Sequence, residues 1–351
     1  MIPKTLSTNH LARPQKSTST PAWITELREA IRDPQELCQA LNLSPDVLTG
    51  GTEGLQLAHT LFSTLVPQSY FQRMQPGNPL DPLLLQVLPT AAEAEKITGF
   101  VTDPLKEAAY NPLPGLIHKY KSRVLLTLSG ACAINCRYCF RRHFPYAENS
   151  LSSKALDKIL VYLQRHPEVN EVILSGGDPL ATSDQRLGQL IQQLEQLPQL
   201  KRLRVHTRLP VVIPSRITSE LVQHLQATRL QTICVLHINH PQEINEQLAD
   251  ALYPLTAAGV LLLNQSVLLK NINNQASTLA ELSEKLFACG VLPYYLHTLD
   301  AVEGAAHFAL EPQSIQCIYS ELLALLPGFL VPRLVTEEAD QPSKTPLGCS
   351  F

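Results

Sequence analysis

The chain has 351 residues, a formal net charge of −3 and 44% hydrophobic side chains. That length suits one large α/β domain with a smaller addition, and the charge balance presents no basic surface to nucleic acid or to an anionic membrane. No apolar run reaches the roughly 18 residues that a membrane span needs, and the segment from Met1 to His10 has no signal-like apolar region. A cytoplasmic setting is therefore expected, in which thiols stay reduced.

In chain order, residues 1–20 are polar and Ser/Thr/Pro-containing and read as a loose tail. Trp23, Leu27 and Ile31 have helical spacing. Asp33-Pro34 caps and opens a second helix. Further short helices with proline-broken connections make residues 21–114 a helical N-terminal extension in which no chemistry shows. From Lys119 short apolar runs alternate with amphipathic stretches. Strands are predicted over 123–128, 171–175, 203–207, 232–237, 261–267 and 292–297, with helices between them over 153–165, 183–197, 218–228, 243–258 and 278–289, and one more over 312–326. A strand–helix repeat of about thirty residues argues for a parallel sheet of about six strands. That is too few to close an eight-stranded barrel, so residues 115–330 are expected to form an open, partial βα barrel, followed by a C-terminal segment over 331–351.

Polar residues gather where the predicted strands end. These positions read Ser129-Gly-Ala-Cys132, Ser175-Gly-Gly-Asp178, His206-Thr-Arg208, His237-Ile-Asn-His240 and His297-Thr-Leu-Asp300. In βα barrels the site is built on that rim, so the concentration points to an enzyme.

The strongest local signal is Cys132, Cys136 and Cys139, spaced C-x3-C-x2-C just after the first predicted strand. A loop that short can turn three sulfurs toward one place. Thiolates select zinc, copper(I) or iron–sulfur clusters. Three ligands on a cubane would leave one iron open to a substrate or cofactor. The main rival is a Cys3His zinc site closed by His143; against it, the adjacent Arg141 and Arg142 suit anionic ligands better than a bare divalent ion. Other groups are ambiguous as they stand. Ser175-Gly176-Gly177-Asp178 is either an ordinary turn or a loop whose backbone lies open to a ligand. Lys344, near the chain's end, reads as solvated. Lys119, Tyr120 and Arg123 read as a basic entry loop, Asp300 and Glu337 as surface acids, and His237 and Gln265 as strand-borne polar groups.

The stretch Cys-Ala-Ile-Asn-Cys-Arg-Tyr-Cys-Phe-Arg-Arg-His-Phe-Pro-Tyr146 resembles the radical S-adenosylmethionine (SAM) enzymes, and within them the lysine 2,3-aminomutase group, most of all the branch that serves β-lysylation of bacterial elongation factor P. The resemblance extends to Gly77-Asn-Pro-Leu-Asp-Pro82, Leu209-Pro-Val-Val-Ile-Pro214, Asn264-Gln-Ser-Val-Leu-Leu269 and Pro293-Tyr-Tyr-Leu-His297. It implies a [4Fe-4S] cluster on the three cysteines, SAM against Ser175, Gly176, Gly177, Asp178, His237 and Gln265, and pyridoxal 5′-phosphate (PLP) carried on Lys344 with its phosphate near Lys119, Tyr120 and Arg123. It further implies Arg141 for the carboxylate of L-lysine, and Asp300 and Glu337 for its ammonium. The implied product is (R)-β-lysine, the implied reductant a donor such as a flavodoxin, and the implied partners elongation factor P and its lysyl ligase. Two departures stand out: Glu337 occupies the place of an aspartate, and His297 that of a tyrosine.

Overall fold

The computed structural model describes residues 20–44, 50–149 and 151–348. The expected tail over 1–20 therefore falls outside the described residues except for Thr20. Among the described residues, nine strands form one sheet in sequential order: β1 (Leu116–Tyr120), β2 (Arg123–Ser129), β3 (Glu171–Gly176), β4 (Arg202–Thr207), β5 (Gln231–His237), β6 (Leu261–Val267), β7 (Leu292–His297), β8 (Arg333–Thr336) and β9 (Thr345–Pro346). Strands β2 to β8 run parallel, whereas β1 and β9 are antiparallel edges.

The six expected strands are all present, and β8 adds a seventh parallel one. At four residues with adjacent Leu334 and Val335 both buried, β8 is too short to show a period. The barrel is open, as expected. Its two edges are joined by side chains rather than by a ladder: Tyr120 donates its hydroxyl to Glu337 Oε1 at 2.8 Å, and Lys119 Nζ donates to the Glu338 carbonyl at 2.8 Å.

Alternation along the strands sets the two faces. On β4, Leu203, Val205 and Thr207 are buried under helices, while Arg202, Arg204 and His206 lie half-buried on the other face. The covering helices are amphipathic. Asp184–Leu194 buries Leu187, Leu190, Ile191 and Leu194, the spacing of a single helical face. Ser183, Thr218 and Asn245 cap their helices by accepting a backbone N–H three residues on. Asp33 likewise caps the helix Pro34–Ala40.

The N-terminal extension is no separate body. Trp23, Leu37, Leu55, Tyr70 and Leu84 join the same hydrophobic cluster as Leu126, Val172 and Leu203. Its later part folds over the rim. Val101 bridges Val302, and the fully buried Glu93 grips Arg137 through both oxygens at 2.8 and 2.6 Å and Arg142 at 2.8 Å. Removing one partner of a buried ion pair leaves an uncompensated charge. Glu93→Ala is therefore expected to lower the unfolding free energy by about 3–5 kcal/mol, read from denaturant midpoints, and to loosen the loop that carries the cysteines. A midpoint equal to the parent's would contradict this.

Candidate active site at the strand rim

The thiol loop leaves β2 at Ser129, and its stem is clamped by the turn after β3. Gly177 N–H donates to the Ser129 carbonyl at 2.7 Å and Asp178 N–H to the Ala131 carbonyl at 2.8 Å. This close approach is what demands the glycines. A Cβ on Gly176, which sits at φ +121°, would lie 2.5 Å from Ser129 O, and one on Gly177 would lie 2.5 Å from Ala131 O. The N–H groups of Gly177 and Asp178 thus hold the thiol loop in place. The Asp178 carboxylate is also committed. It accepts from Leu180 N, Thr207 Oγ1, Arg208 N and Leu209 N at 2.7–3.0 Å, tying the end of β3 to the end of β4. Ser175 Oγ and the Gly176 carbonyl face Arg141, at 3.0 and 3.5 Å from its Nη1.

Cys132, Cys136 and Cys139 are free thiols. Burial and the neighbouring Cys139 push the Cys132 thiol well up, and burial with Cys136 beside it pushes Cys139 to about 11. Three thiolates crowded into a buried loop repel one another unless a cation discharges them, and metal binding does so while releasing protons. Among the described residues, no three His, Cys, Asp or Glu side chains converge on one ion position. A cubane asks for something else, one thiolate on each of three irons. His143 places Nε2 3.2 Å from the Glu303 carbonyl, and among the described residues it forms no Cys3His group with the three thiols. The donor set therefore fits an iron–sulfur cluster.

The second group forms where the sheet's edges meet. Lys344, just before β9, is paired with Glu337, and its ammonium lies 5.8 Å from the Tyr295 ring centroid. Glu337 also accepts from Tyr120 and lies 3.5 Å from Lys119 Nζ. The Lys344 ammonium and these donors, outweighing burial, hold its carboxyl at about 2. A cavity of about 60 Å³ is lined by Glu107, Tyr110, Lys119, Tyr120, Arg123 and Glu337. Lys119 and Arg123 with the Tyr110 and Tyr120 hydroxyls can hold a phosphate there. The cavity's two acids are already paired, Glu107 with Arg141 and Glu337 with Lys344. An amine beside the cavity suits an aldehyde, so these residues fit PLP. A larger cavity of about 330 Å³ lies on the outer face between the helices Ser153–Gln164 and Asp184–Leu194 and contains none of these groups.

The substrate candidates are brought close, with one surprise. Asp300 follows β7, and burial with Glu337 nearby raises its carboxyl to about 7. The Arg141 fork is already filled: Glu107 accepts from Nε at 2.8 Å and from Nη2 at 2.6 Å. Glu107 comes from the N-terminal extension, where chemistry was not expected. Glu337 sits among Lys119, Tyr120 and Lys344 and also near Asp300. His237 stacks on Tyr138 with Nε2 at 3.1 Å from its hydroxyl, and burial and Arg208 press its pKa to about 3. Gln265 lies in register beside it on β6.

Sequence reasoning assigned no role to Glu107, His206 or Arg208. His206 Nε2 is buried with no partner, and burial, Arg204, Lys344 and Arg141 depress its pKa strongly. His297 is held at about 3 by burial and Lys344. Both histidines are thus neutral at the rim. His206 and Arg208 were visible as strand-end residues; Glu107 lies in a stretch with no periodic signal.

Comparison with known proteins agrees with this geometry. The Radical SAM superfamily matches residues 126–243, from β2 past β5, which makes the thiol loop and the clamped glycine turn those of a radical SAM enzyme. The chain is 51% identical to the L-lysine 2,3-aminomutase of Haemophilus influenzae over 92% of this chain and 94% of that protein. It is 50% identical to that of Escherichia coli over 93% and 94%, and 35% identical to that of Clostridium subterminale over 93% and 77%. It belongs to the L-lysine 2,3-aminomutase family, whose members are isomerases. No helix among the described residues is long and apolar enough to cross a membrane.

Proposed function

We propose that the protein is a PLP-dependent L-lysine 2,3-aminomutase that makes (R)-β-lysine, and that this product serves to modify elongation factor P. The observation that carries the reading is the assembly at one rim of the thiol triplet, a lysine amine at the opposite edge of the sheet, a small cavity beside that amine with Lys119, Arg123 and two tyrosine hydroxyls in its wall, and an arginine and an acid between them. The cluster with SAM supplies a radical able to remove hydrogen, and PLP supplies an aldehyde that holds the migrating amino group.

The chain's own residues bind and orient. Arg141 presents a planar fork to the substrate carboxylate. Glu107 neutralises it in the free protein, so the incoming carboxylate competes with Glu107 or takes the remaining Nη protons. Asp300 and Glu337 place negative charge near the substrate's far ammonium. Two acids there disfavour glutamate, whose side chain ends in a carboxylate. Glu337 orients the Lys344 amine rather than deprotonating it, because its carboxyl is held at about 2. Neutral His206 and His297 at the strand rim add no charge that would repel the substrate ammonium. The elongation factor P assignment, with its lysyl ligase, is supported by the resemblance of the chain along its length, and a donor such as a flavodoxin suits the single electron the chemistry needs.

The test is anaerobic incubation with L-lysine, SAM, PLP and dithionite, followed by chiral analysis. (R)-β-lysine is the expected product; its absence from protein with full iron, sulfide and PLP overturns the reading. Loss of the gene is expected to deplete β-lysylated elongation factor P on intact-mass analysis, and unchanged modification would leave only a metabolic role for β-lysine.

Asp300 gives a pH signature. Its carboxyl is raised from 3.8 to about 7 on folding, so the folded state binds more protons than the unfolded chain between those values. Stability from this group is therefore highest at low pH and falls as pH rises through that window. Lysine binding runs the other way, tightening as pH rises through about 7 and the carboxylate forms. Asp300→Asn is expected to flatten both profiles, read by denaturant titration and by calorimetry. A parent protein whose lysine affinity is flat across neutral pH would contradict the assignment.

A further inference from the structure

Beside Cys136 lies a buried polar cluster that the proposed reaction does not use directly. Arg208, in the turn after β4, places Nη1 2.7 Å from Cys136 Sγ and 2.5 Å from the Tyr138 hydroxyl. Its Nη2 donates to Gln86 Oε1 at 2.7 Å and to Glu243 Oε2 at 2.9 Å. Glu243 is fully buried, and its other oxygen accepts from Asn239 N at 2.9 Å, His240 N at 3.1 Å and Gln86 Nε2 at 3.2 Å. The Tyr138 hydroxyl is fixed in turn by Asn239 Nδ2 at 2.7 Å. The guanidinium is thus held from several sides, with one N–H aimed at a sulfur.

Reduction potentials of iron–sulfur clusters are set by hydrogen bonds to the sulfurs, by local charge and by burial. A charged N–H donor withdraws electron density from a ligating thiolate and stabilises the more negative, reduced cluster. A nearby carboxylate does the opposite. Groups behind the ligands tune a metal centre in this way.

We propose that Arg208 raises the reduction potential of the cluster through its N–H···S bond to Cys136, and that Glu243 holds the fork in place while partly offsetting its charge. Arg208 acts through the ligand, so it is a positioning and tuning residue. The inference rests on the cluster reading above and deepens it.

The test is a redox titration of the reconstituted full-length protein, without SAM, following the electron paramagnetic resonance signal as one electron per cluster is added. Arg208→Met, which removes both charge and donor, is expected to lower the equilibrium constant for reduction about tenfold, ~59 mV for one electron. Arg208→Lys, which keeps the charge but loses the fork, is expected to shift less in the same direction. Glu243→Gln, nearly isosteric, is expected to shift the potential upward. A merely structural role would not give shifts of opposite sign. Iron and sulfide content and thermal melts accompany each variant; if Arg208→Met does not fold, the Lys and Gln variants decide. Midpoints equal to the parent's in variants with full iron and sulfide, or shifts of one sign throughout, overturn the proposal. A parent protein that takes up no iron and sulfide overturns the cluster reading itself, and this inference with it.

Discussion

Cys136→Ala is expected to lack the brown iron–sulfur absorbance after anaerobic reconstitution and to lower β-lysine formation at least about a thousandfold, ~4 kcal/mol of barrier at 1.36 kcal/mol per factor of ten. Three thiolates on a cubane leave one iron open, whereas two leave two irons without a protein ligand and too few anchors to retain the cluster. The substitution also strands Arg208, whose Nη1 loses its sulfur partner at 2.7 Å. Because Tyr138, Gln86 and Glu243 still hold the guanidinium, the fold is expected to survive, so the loss is chemical rather than structural. Iron and sulfide assays with the visible spectrum check this. A variant that keeps a full cluster would show that Cys136 is no ligand and would sink the arrangement drawn here.

Lys344→Ala is expected to abolish the visible absorbance of protein-bound PLP and to lower turnover by a similar factor, at least about a thousandfold, while leaving iron and sulfide untouched. The separation is the informative part, since the amine lies at β9 and the cysteines follow β2. Lys344→Arg makes the case sharper. It keeps a cation for Glu337, yet a guanidinium cannot condense with an aldehyde at neutral pH, so activity is expected to stay lost. Lys344→Ala removes one partner of a largely buried pair, but Tyr120 and Lys119 continue to hold Glu337. Its cost is therefore expected to stay below the roughly 3–5 kcal/mol of a buried charge left unpaired, and Lys344→Arg, which keeps the cation, is expected to cost less. Activity retained in both variants would remove Lys344 from the chemistry.

The elements legible beforehand were those whose chemistry is local. Cys132, Cys136 and Cys139 sit within eight residues of one loop, so their proximity in sequence is visible without the rest of the fold. The parallel strands showed because each carries four to eight apolar or alternating residues between turn signals. β8 did not, since Arg333-Leu-Val-Thr336 has two buried residues in a row and no period. The glycine turn was legible as a turn, but its clamp on the thiol loop was not. Nothing in Ser175-Gly-Gly-Asp178 says that its N–H groups are spent on Ser129 and Ala131, because the parallel pairing of β2 with β3 creates that contact.

By itself, then, the order of residues determined the thiol loop, the succession of strands and helices, and the polar rim at the strand ends. Each of these depends on neighbours a few positions apart. Only the tertiary structure decided that Glu107 fills the Arg141 fork, that Glu93 buttresses the cysteine loop, that Arg208 points at Cys136, and that Lys344 shares Glu337 with Tyr120 across the open edge. Those pairings join residues far apart in the chain, and they exist because seven parallel strands twist the sheet until its two edges face each other across one lumen.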